Sequence, residues 1–290
     1  MSRAGAAPRR WPVALAVIAH GSRDPRHRAT VRALVRRVRA QRPGLRVAAG
    51  FLDHCAPGAV LTLERLYDEG VRSAVVLPLL ITQAFHAGTD CPALLRECAA
   101  RRPDLSLRQS RVLGPHPLLI AALERRLAQT GVTAGDRSKT GIVLATAGSC
   151  DPEANADVAA IAREWRHTGW CAVRPAFAST APPGTADAVR SLRADGIRQV
   201  VVSPCFVAPG MLADRVAREA SSADLLAPVL GDAPEIAALV LHRYDEARAG
   251  RPAGSGQGLS SGPRGPGLIR TTREPGLVRT RGPRSAVGHA

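Results

Sequence analysis

The chain has 290 residues, of which 45% are hydrophobic and 3% aromatic, and a formal net charge of +16. That length suits about two domains of ordinary globular composition, and the scarcity of aromatic side chains argues against single-stranded nucleic-acid binding, which uses them as stacking platforms. The charge favours an acidic ligand, but no zinc-finger, basic-helix or ribonucleoprotein motif directs it to nucleic acid, and no apolar run approaches the ~20 residues that span a bilayer.

Arg3, Arg9 and Arg10 precede the apolar run 11–19 in the manner of a signal peptide. The equivalent run later in the chain, Gly141-Ile-Val-Leu-Ala145, has no such leader, so residues 13–19 are read as a first strand. Further β-rich runs at 45–52, 73–79 and 105–112 alternate with helical patterns at 25–41, 57–68, 91–101 and 116–129. Continuous apolar strands separated by helices predict a parallel sheet covered on both faces. After a linker at 130–140 the same order returns, with strands at 142–146, 172–177, 199–203 and 227–230. The fold class is therefore α/β, with two duplicated flavodoxin-like lobes facing each other across a cleft. The expected domains are an N-terminal lobe at 1–132, a C-terminal lobe at 133–249 and a basic tail at 250–290 that reads as disorder. Residues 251–290 hold seven Arg and one Glu among Gly, Pro, Ser and Thr, with no strand or helix period.

The duplication is visible residue by residue. Val17-Ile-Ala-His20-Gly-Ser-Arg-Asp-Pro25 returns as Leu144-Ala-Thr-Ala147-Gly-Ser-Cys-Asp-Pro152, and Phe51-Leu-Asp53-His-Cys-Ala-Pro-Gly58 as Phe177-Ala-Ser179-Thr-Ala-Pro-Pro-Gly184. Phe51 to Phe177 and Pro78 to Pro204 share an offset of 126 residues. A period this long marks a domain duplication, because solenoid repeats run ~20–50 residues. Each copy is expected to be one folding unit.

What the copies keep is framework. Gly21 permits a tight turn, and Asp24 before Pro25 reads as a helix N-cap with proline at the first helical position. What they do not keep is chemistry. His20 follows the first strand, Asp53 ends the second and His86 lies in the loop after the third, so all three belong to the carboxyl edge of a parallel sheet, where ligands bind in such folds. Two imidazoles and a carboxylate suit a divalent transition metal. At an offset of 126 the second copy has Ser179 and Leu212 for Asp53 and His86, and Ala147 stands for His20. The competing reading is that the two histidines are packed or surface residues.

Other positions have two readings each. Arg23 is either a contact for an acidic ligand or a solvated helix-start residue, and His116 is either a helix-start residue or part of the cleft lining. His54 adjoins Asp53 and, in a continued strand, faces the opposite side of the sheet. His27 is placed on the exposed face of the first helix. The six cysteines form no C-x-x-C pair, which points to a reducing cytoplasm. Cys91 and Cys98 are set aside as an iron–sulfur site because such clusters need four thiolates. Ser138-Lys139-Thr140 lacks the glycine spacing of a P-loop and precedes a strand, so no ATP site is implied. Ala19 stands where a phosphohistidine phosphatase needs Arg.

Ala19-His20-Gly21-Ser22-Arg23, Phe51-Leu52-Asp53, and Leu77-Pro78-Leu79-Leu80 running to His86 together resemble the sirohydrochlorin chelatases, small ATP-independent enzymes that insert a metal into an acidic tetrapyrrole on the routes to sirohaem and cobalamin. The resemblance spans roughly residues 13–248. It implies that His20 and His86 bind the incoming metal and help remove the pyrrole protons, that Asp53 completes the metal set, and that Ile81, Thr82, Gln83, Ala84 and Phe85 contact the tetrapyrrole. Asp53 departs from the Glu usual in the family and is one methylene shorter. The expected metal is Fe²⁺, with cobalt insertion as the alternative and a non-catalytic metal or tetrapyrrole carrier as a second. No cofactor beyond the substrate metal, no nucleic acid and no membrane is expected, and one chain holding both lobes can act as a monomer.

Overall fold

The computed structural model describes residues 13–83 and 90–250. The tail beyond Gly250 and the expected site residues Ala84, Phe85 and His86 lie outside the described residues. The first copy runs β1 (Ala14–Ala19), α1 (Pro25–Gln41), β2 (Val47–Phe51), α2 (Ala59–Asp68), β3 (Ser73–Pro78), α3 (Cys91–Arg101), β4 (Ser106–Gln109) and α4 (Pro117–Ala128). The second runs β5 (Thr140–Thr146), α5 (Pro152–Arg166), β6 (Ala172–Phe177), α6 (Thr185–Ala194), β7 (Gln199–Pro204), α7 (Met211–Glu219), β8 (Leu225–Leu226) and α8 (Pro234–Arg248). Each copy forms a four-stranded sheet, ordered β2-β1-β3-β4 and β6-β5-β7-β8, and every pairing is parallel. The expected duplicated α/β architecture is present.

The central strands explain themselves. Every residue of β1 and β5 is buried, as unbroken apolar strands must be when helices cover both faces. The edge strand β4, Ser-Leu-Arg-Gln, alternates between exposed and half-buried, and it is shorter than the apolar run suggested. β8 departs further, ending at Leu226 when 227–230 was expected. Ala227 N–H still donates to Val202 O at 2.8 Å, but Pro228 has no N–H to continue the ladder.

Where the helices lie is not what two independent units would give. One face of the first sheet is covered by α2 and α3, with Leu63, Leu66, Leu94 and Cys98 against Ala14, Ala16 and Val76. One face of the second is covered by α6 and α7, with Val189, Leu192 and Val216 against Val143, Val200 and Val202. Between the sheets, α1, α4, α5 and α8 share a single core that includes Leu34, Leu123, Ile161 and Leu239. Within that layer the final helices are exchanged: α8 packs on β3 and β4 of the first sheet, and α4 on β7 of the second.

Specific bonds hold the exchange. Tyr244 Oη on α8 donates to Val13 O at 3.0 Å, and Arg108 donates to Ala247 O at 2.7 Å. In the other direction Glu124 on α4 accepts from the indole N–H groups of Trp165 and Trp170, each at 2.7 Å, and pairs with Arg137. Buried indoles need such partners, so this one carboxylate satisfies two of them. Each sequence copy therefore completes the other's core. Among the described residues no helix is long and apolar enough to cross a membrane.

Candidate functional site

The site begins at the turn between β1 and α1. Strand pairing continues past β2: Leu52 N–H donates to Ala19 O at 3.0 Å and Asp53 N–H to His20 O at 2.8 Å. The copy does the same, with Ala178 N–H to Thr146 O at 2.8 Å and Ser179 N–H to Ala147 O at 2.9 Å. This close approach is why glycine survives in both turns. Gly21 has φ +99°, and a Cβ on it would lie 1.8 Å from Asp53 O; Gly148 has φ +80° and would place one 2.4 Å from Ser179 O. Asp24 and Asp151 cap their helices by accepting from Arg26 N–H and Glu153 N–H. Ser22 and Ser149 accept in turn from the Asp24 and Asp151 N–H groups, at 3.1 and 3.0 Å. The retained residues are architectural, as expected.

On this frame the first copy carries different side chains. His20 is half-buried and Asp53 exposed at the strand ends. His54 does not continue the strand. Its φ of +59° swings the chain back, so its N–H donates to Asp53 Oδ1 at 2.7 Å, its Nε2 lies 3.3 Å from Asp53 Oδ2 and its ring lies 6.4 Å from that of His20. The expectation that His54 faces away is corrected by this left-handed residue. Thr180 has the same conformation at φ +61°, so the bend belongs to the framework and the imidazole to the first copy. Beside it, the Cys55 thiol donates to Ser22 O at 3.0 Å.

His27 is also relocated. It is half-buried, its ring lies 6.3 Å from Phe51, and its Nδ1 is buried with no hydrogen-bond partner among the described residues. Burial, followed by repulsion from His20, lowers its pKa. His116 takes the helix-start reading: its Nδ1 accepts from Leu118 N–H at 3.1 Å, and burial, with Arg243 and His242 adding repulsion, lowers its pKa to about 4.

The segment after β3 reaches the same sheet edge. Leu79 N–H donates to Ile18 O at 2.7 Å, and Ile81 O accepts from Gly114 N–H at 2.8 Å. Ile81 packs on the shared core, Thr82 is half-buried and Gln83 is exposed. The Gln83 backbone N–H donates to the carboxylate of Asp157 on α5, whose pKa is raised by burial against the opposing effects of that bond and of Arg111. Sequence reasoning missed Asp157, because only the packing of the lobes brings it to this loop. Among the described residues no group of three His, Cys, Asp or Glu side chains is gathered tightly enough to hold a metal ion.

The assignment of Leu212 as the copy of His86 is corrected. Gln109 pairs with Val76 and Leu226 with Val202, so the second copy is nine residues shorter over this stretch. The constant offset fails there, and Leu212 is the second residue of α7. The turn before α7 instead faces the His20 turn: a Cβ on Gly210 would lie 3.8 Å from Ser22 Oγ. The Arg26 guanidinium donates to both Asp24 and Asp214, tying α1 to α7. Arg23 is exposed and makes no ion pair among the described residues.

Two four-stranded parallel sheets of order 2-1-3-4 with helices on both faces form a duplicated α/β, chelatase-like fold. The chain belongs to the CbiX family, whose profile matches residues 14–130 and again 141–247. It is 25% identical over 202 residues to a sirohydrochlorin cobaltochelatase of Priestia megaterium, covering 69% of this chain and 65% of that protein. The chain thus spans slightly under two thirds of that relative's length. It is 26% identical over 208 residues to a sirohydrochlorin ferrochelatase of Bacillus subtilis strain 168, covering 71% of this chain and 78% of that one. In fold it is similar to SirB from Bacillus subtilis with Fe³⁺, with a TM-score of 0.71 and 24% identity over 82% of this chain and 96% of that one.

Proposed function

We propose that this protein is a sirohydrochlorin chelatase that inserts Fe²⁺ into sirohydrochlorin to make sirohaem. The observation that carries the reading is the contrast between two turns of identical backbone design, His20 with Asp53 in one and Ala147 with Ser179 in the other, within a chain of the CbiX family. A duplication that keeps the turn and its caps but arms one copy marks the armed edge as the reacting one.

The chemistry is a substitution of a metal ion for two pyrrole protons. His20, Asp53 and His86 receive the metal, and as it passes from them into the ring the two freed imidazoles of His20 and His86 each take up one of the two pyrrole protons. Histidine serves both roles because it binds divalent metals when neutral and titrates near the working pH. His54 extends the donor set beside Asp53, whose carboxylate it already contacts. Ile81, Thr82, Gln83, Ala84 and Phe85 are assigned to contact the tetrapyrrole, and Arg23, exposed and without an ion pair among the described residues, offers its charge to the carboxylates. Complementary charge would also speed capture of so acidic a substrate.

A second reading, cobalt insertion, has support in the similarity to the Priestia cobaltochelatase; imidazole and carboxylate accept both ions. The reaction needs no ATP and no cofactor beyond the metal that is its substrate. Six free cysteines support a reducing cytoplasmic setting, and the lobes of one chain suffice for a monomeric enzyme that uses neither nucleic acid nor membrane. The test is an anaerobic assay with sirohydrochlorin and Fe²⁺ or Co²⁺, followed by absorbance against the spontaneous rate. Faster insertion of Fe²⁺ supports the proposal and faster Co²⁺ insertion the second reading. Tight binding with no acceleration by either metal identifies a carrier and overturns the enzyme.

A further inference from the structure

The second copy has no metal-binding side chain at Ala147 or Ser179, yet its β7–α7 turn is set against the armed turn of the first. Gly210 approaches Ser22, and Asp214 accepts from the Arg26 guanidinium. Met211 lies between these two contacts in the chain. Residues three apart on a helix are neighbours on one face, so the face of α7 that Asp214 ties to α1 also carries Met211, one turn nearer Gly210 and its approach to Ser22.

Met211 is 77% exposed, against 44% for Leu61 and 41% for Leu226, the other exposed large hydrophobic residues among the described ones. A single exposed apolar side chain is ordinary on a protein surface. What distinguishes this one is its place beside the turn that carries His20. That turn offers polar and charged groups, namely Ser22, Arg23 and Asp24, which suit the acidic rim of a tetrapyrrole and a metal but not its broad apolar face. Methionine is flexible and polarisable and packs well on aromatic surfaces.

We propose that Met211, with Pro209 and Gly210 before it, forms an apolar wall on which one face of the tetrapyrrole macrocycle rests. The second copy then recognises the ring while the first receives the metal. The inference rests on the chelatase reading and adds to it a substrate contact from the lobe that lacks metal ligands. Because Met211 is exposed and the packing of α7 runs through Ala213 and Val216, substitution at 211 leaves the fold intact.

The experiment titrates metal-free sirohydrochlorin into the full chain, read by quenching of its fluorescence, and titrates Co²⁺ separately, for the wild type and for Met211→Leu, Met211→Ala and Met211→Glu. Tetrapyrrole binding is expected to weaken about threefold in Met211→Ala and about tenfold or more in Met211→Glu, and to stay within about twofold in Met211→Leu, in line with apolar burial. Co²⁺ affinity and melting temperature stay at the wild-type values in all three. Wild-type tetrapyrrole affinity in Met211→Glu overturns the inference while the chelatase reading stands. Parallel loss of Co²⁺ affinity in that variant also overturns it, since a wall for the ring leaves the metal site alone. A wild type that binds no tetrapyrrole overturns the chelatase reading and this inference with it.

Discussion

Arg243 on α8 donates from Nε to the carbonyl oxygen of Val112 at 2.8 Å while only 2% exposed. Its other nitrogens reach Leu113 O at 3.0 Å and Glu246 at 2.8 Å. A residue from the last helix thus satisfies the backbone that leaves β4, 130 positions earlier in the chain. Burial depresses its pKa, with Glu246 opposing the shift. Arg243→Met keeps the apolar stem but strips donors from three carbonyls, those of Val112, Leu113 and Pro115, and from one carboxylate. We expect a loss of about 3 kcal/mol, toward the lower end for breaking a buried ion pair, measured as a drop in the urea midpoint. A loss under about 1 kcal/mol would show that the helix exchange is held by apolar packing alone.

The two glycine turns give a paired test. Gly21 and Gly131 both have positive φ, at +99° and +86°, but a Cβ on Gly21 meets Asp53 O while one on Gly131 meets nothing within 4 Å. Gly131→Ala should cost about 1–2 kcal/mol from backbone conformation. Gly21→Ala adds a clash to that strain, so its cost should be visibly larger, and it should also displace Asp53. Equal unfolding free energies for the two variants would remove the close-approach explanation.

His20→Ala should lower the rate of metal insertion by about a hundredfold or more, as loss of an acid–base group does. Its stability should stay within about 0.5 kcal/mol of wild type, as at sites without a special packing role, because Ala147 occupies the same turn with the same backbone bonds. Insertion rates with Fe²⁺ and thermal melting measure the two effects separately. A variant that inserts metal at the wild-type rate contradicts the assignment of the armed edge.

Stability should depend on pH through His116. Its pKa is about 4 in the folded protein, lowered mainly by burial, against a reference value of 6.5. Between those two values the unfolded chain binds more protons than the folded one, so stability rises with pH across that window and is insensitive to this group above it. Acidification from neutrality toward pH 4 should therefore remove up to about 3 kcal/mol. Burial lowers the pKa of His27 in the same direction. In His116→Asn, whose amide can still cap α4, unfolding curves should show a shallower slope over this range; an unchanged slope assigns the dependence elsewhere.

Much of the architecture was legible in the residues because it is local. Apolar runs located seven of the eight strands, helical periods located the helices of the first copy, Asp24-Pro25 and Asp151-Pro152 marked helix starts, and the repeat separated Gly21 from His20. The strand ends were less legible: β8 is only two residues long, with Pro228 just beyond it, although the run 225–230 is apolar throughout. The constant offset failed between β7 and β8, where the second copy is nine residues shorter, so Leu212 proved to be a helix residue.

By itself, the sequence determined the strand–helix order, the duplication and the candidacy of His20 and Asp53, since each depends on neighbours in the chain or on comparison of one copy with the other. Only the tertiary structure decided that α4 and α8 trade sheets, that Asp157 meets the Gln83 N–H, and that His54 turns back toward His20. Helical periodicity reports that a face must be buried but not which sheet will cover it, and a strand pattern does not announce the left-handed residue that ends it. Those outcomes depend on contacts between residues far apart in the chain and on one backbone angle at His54.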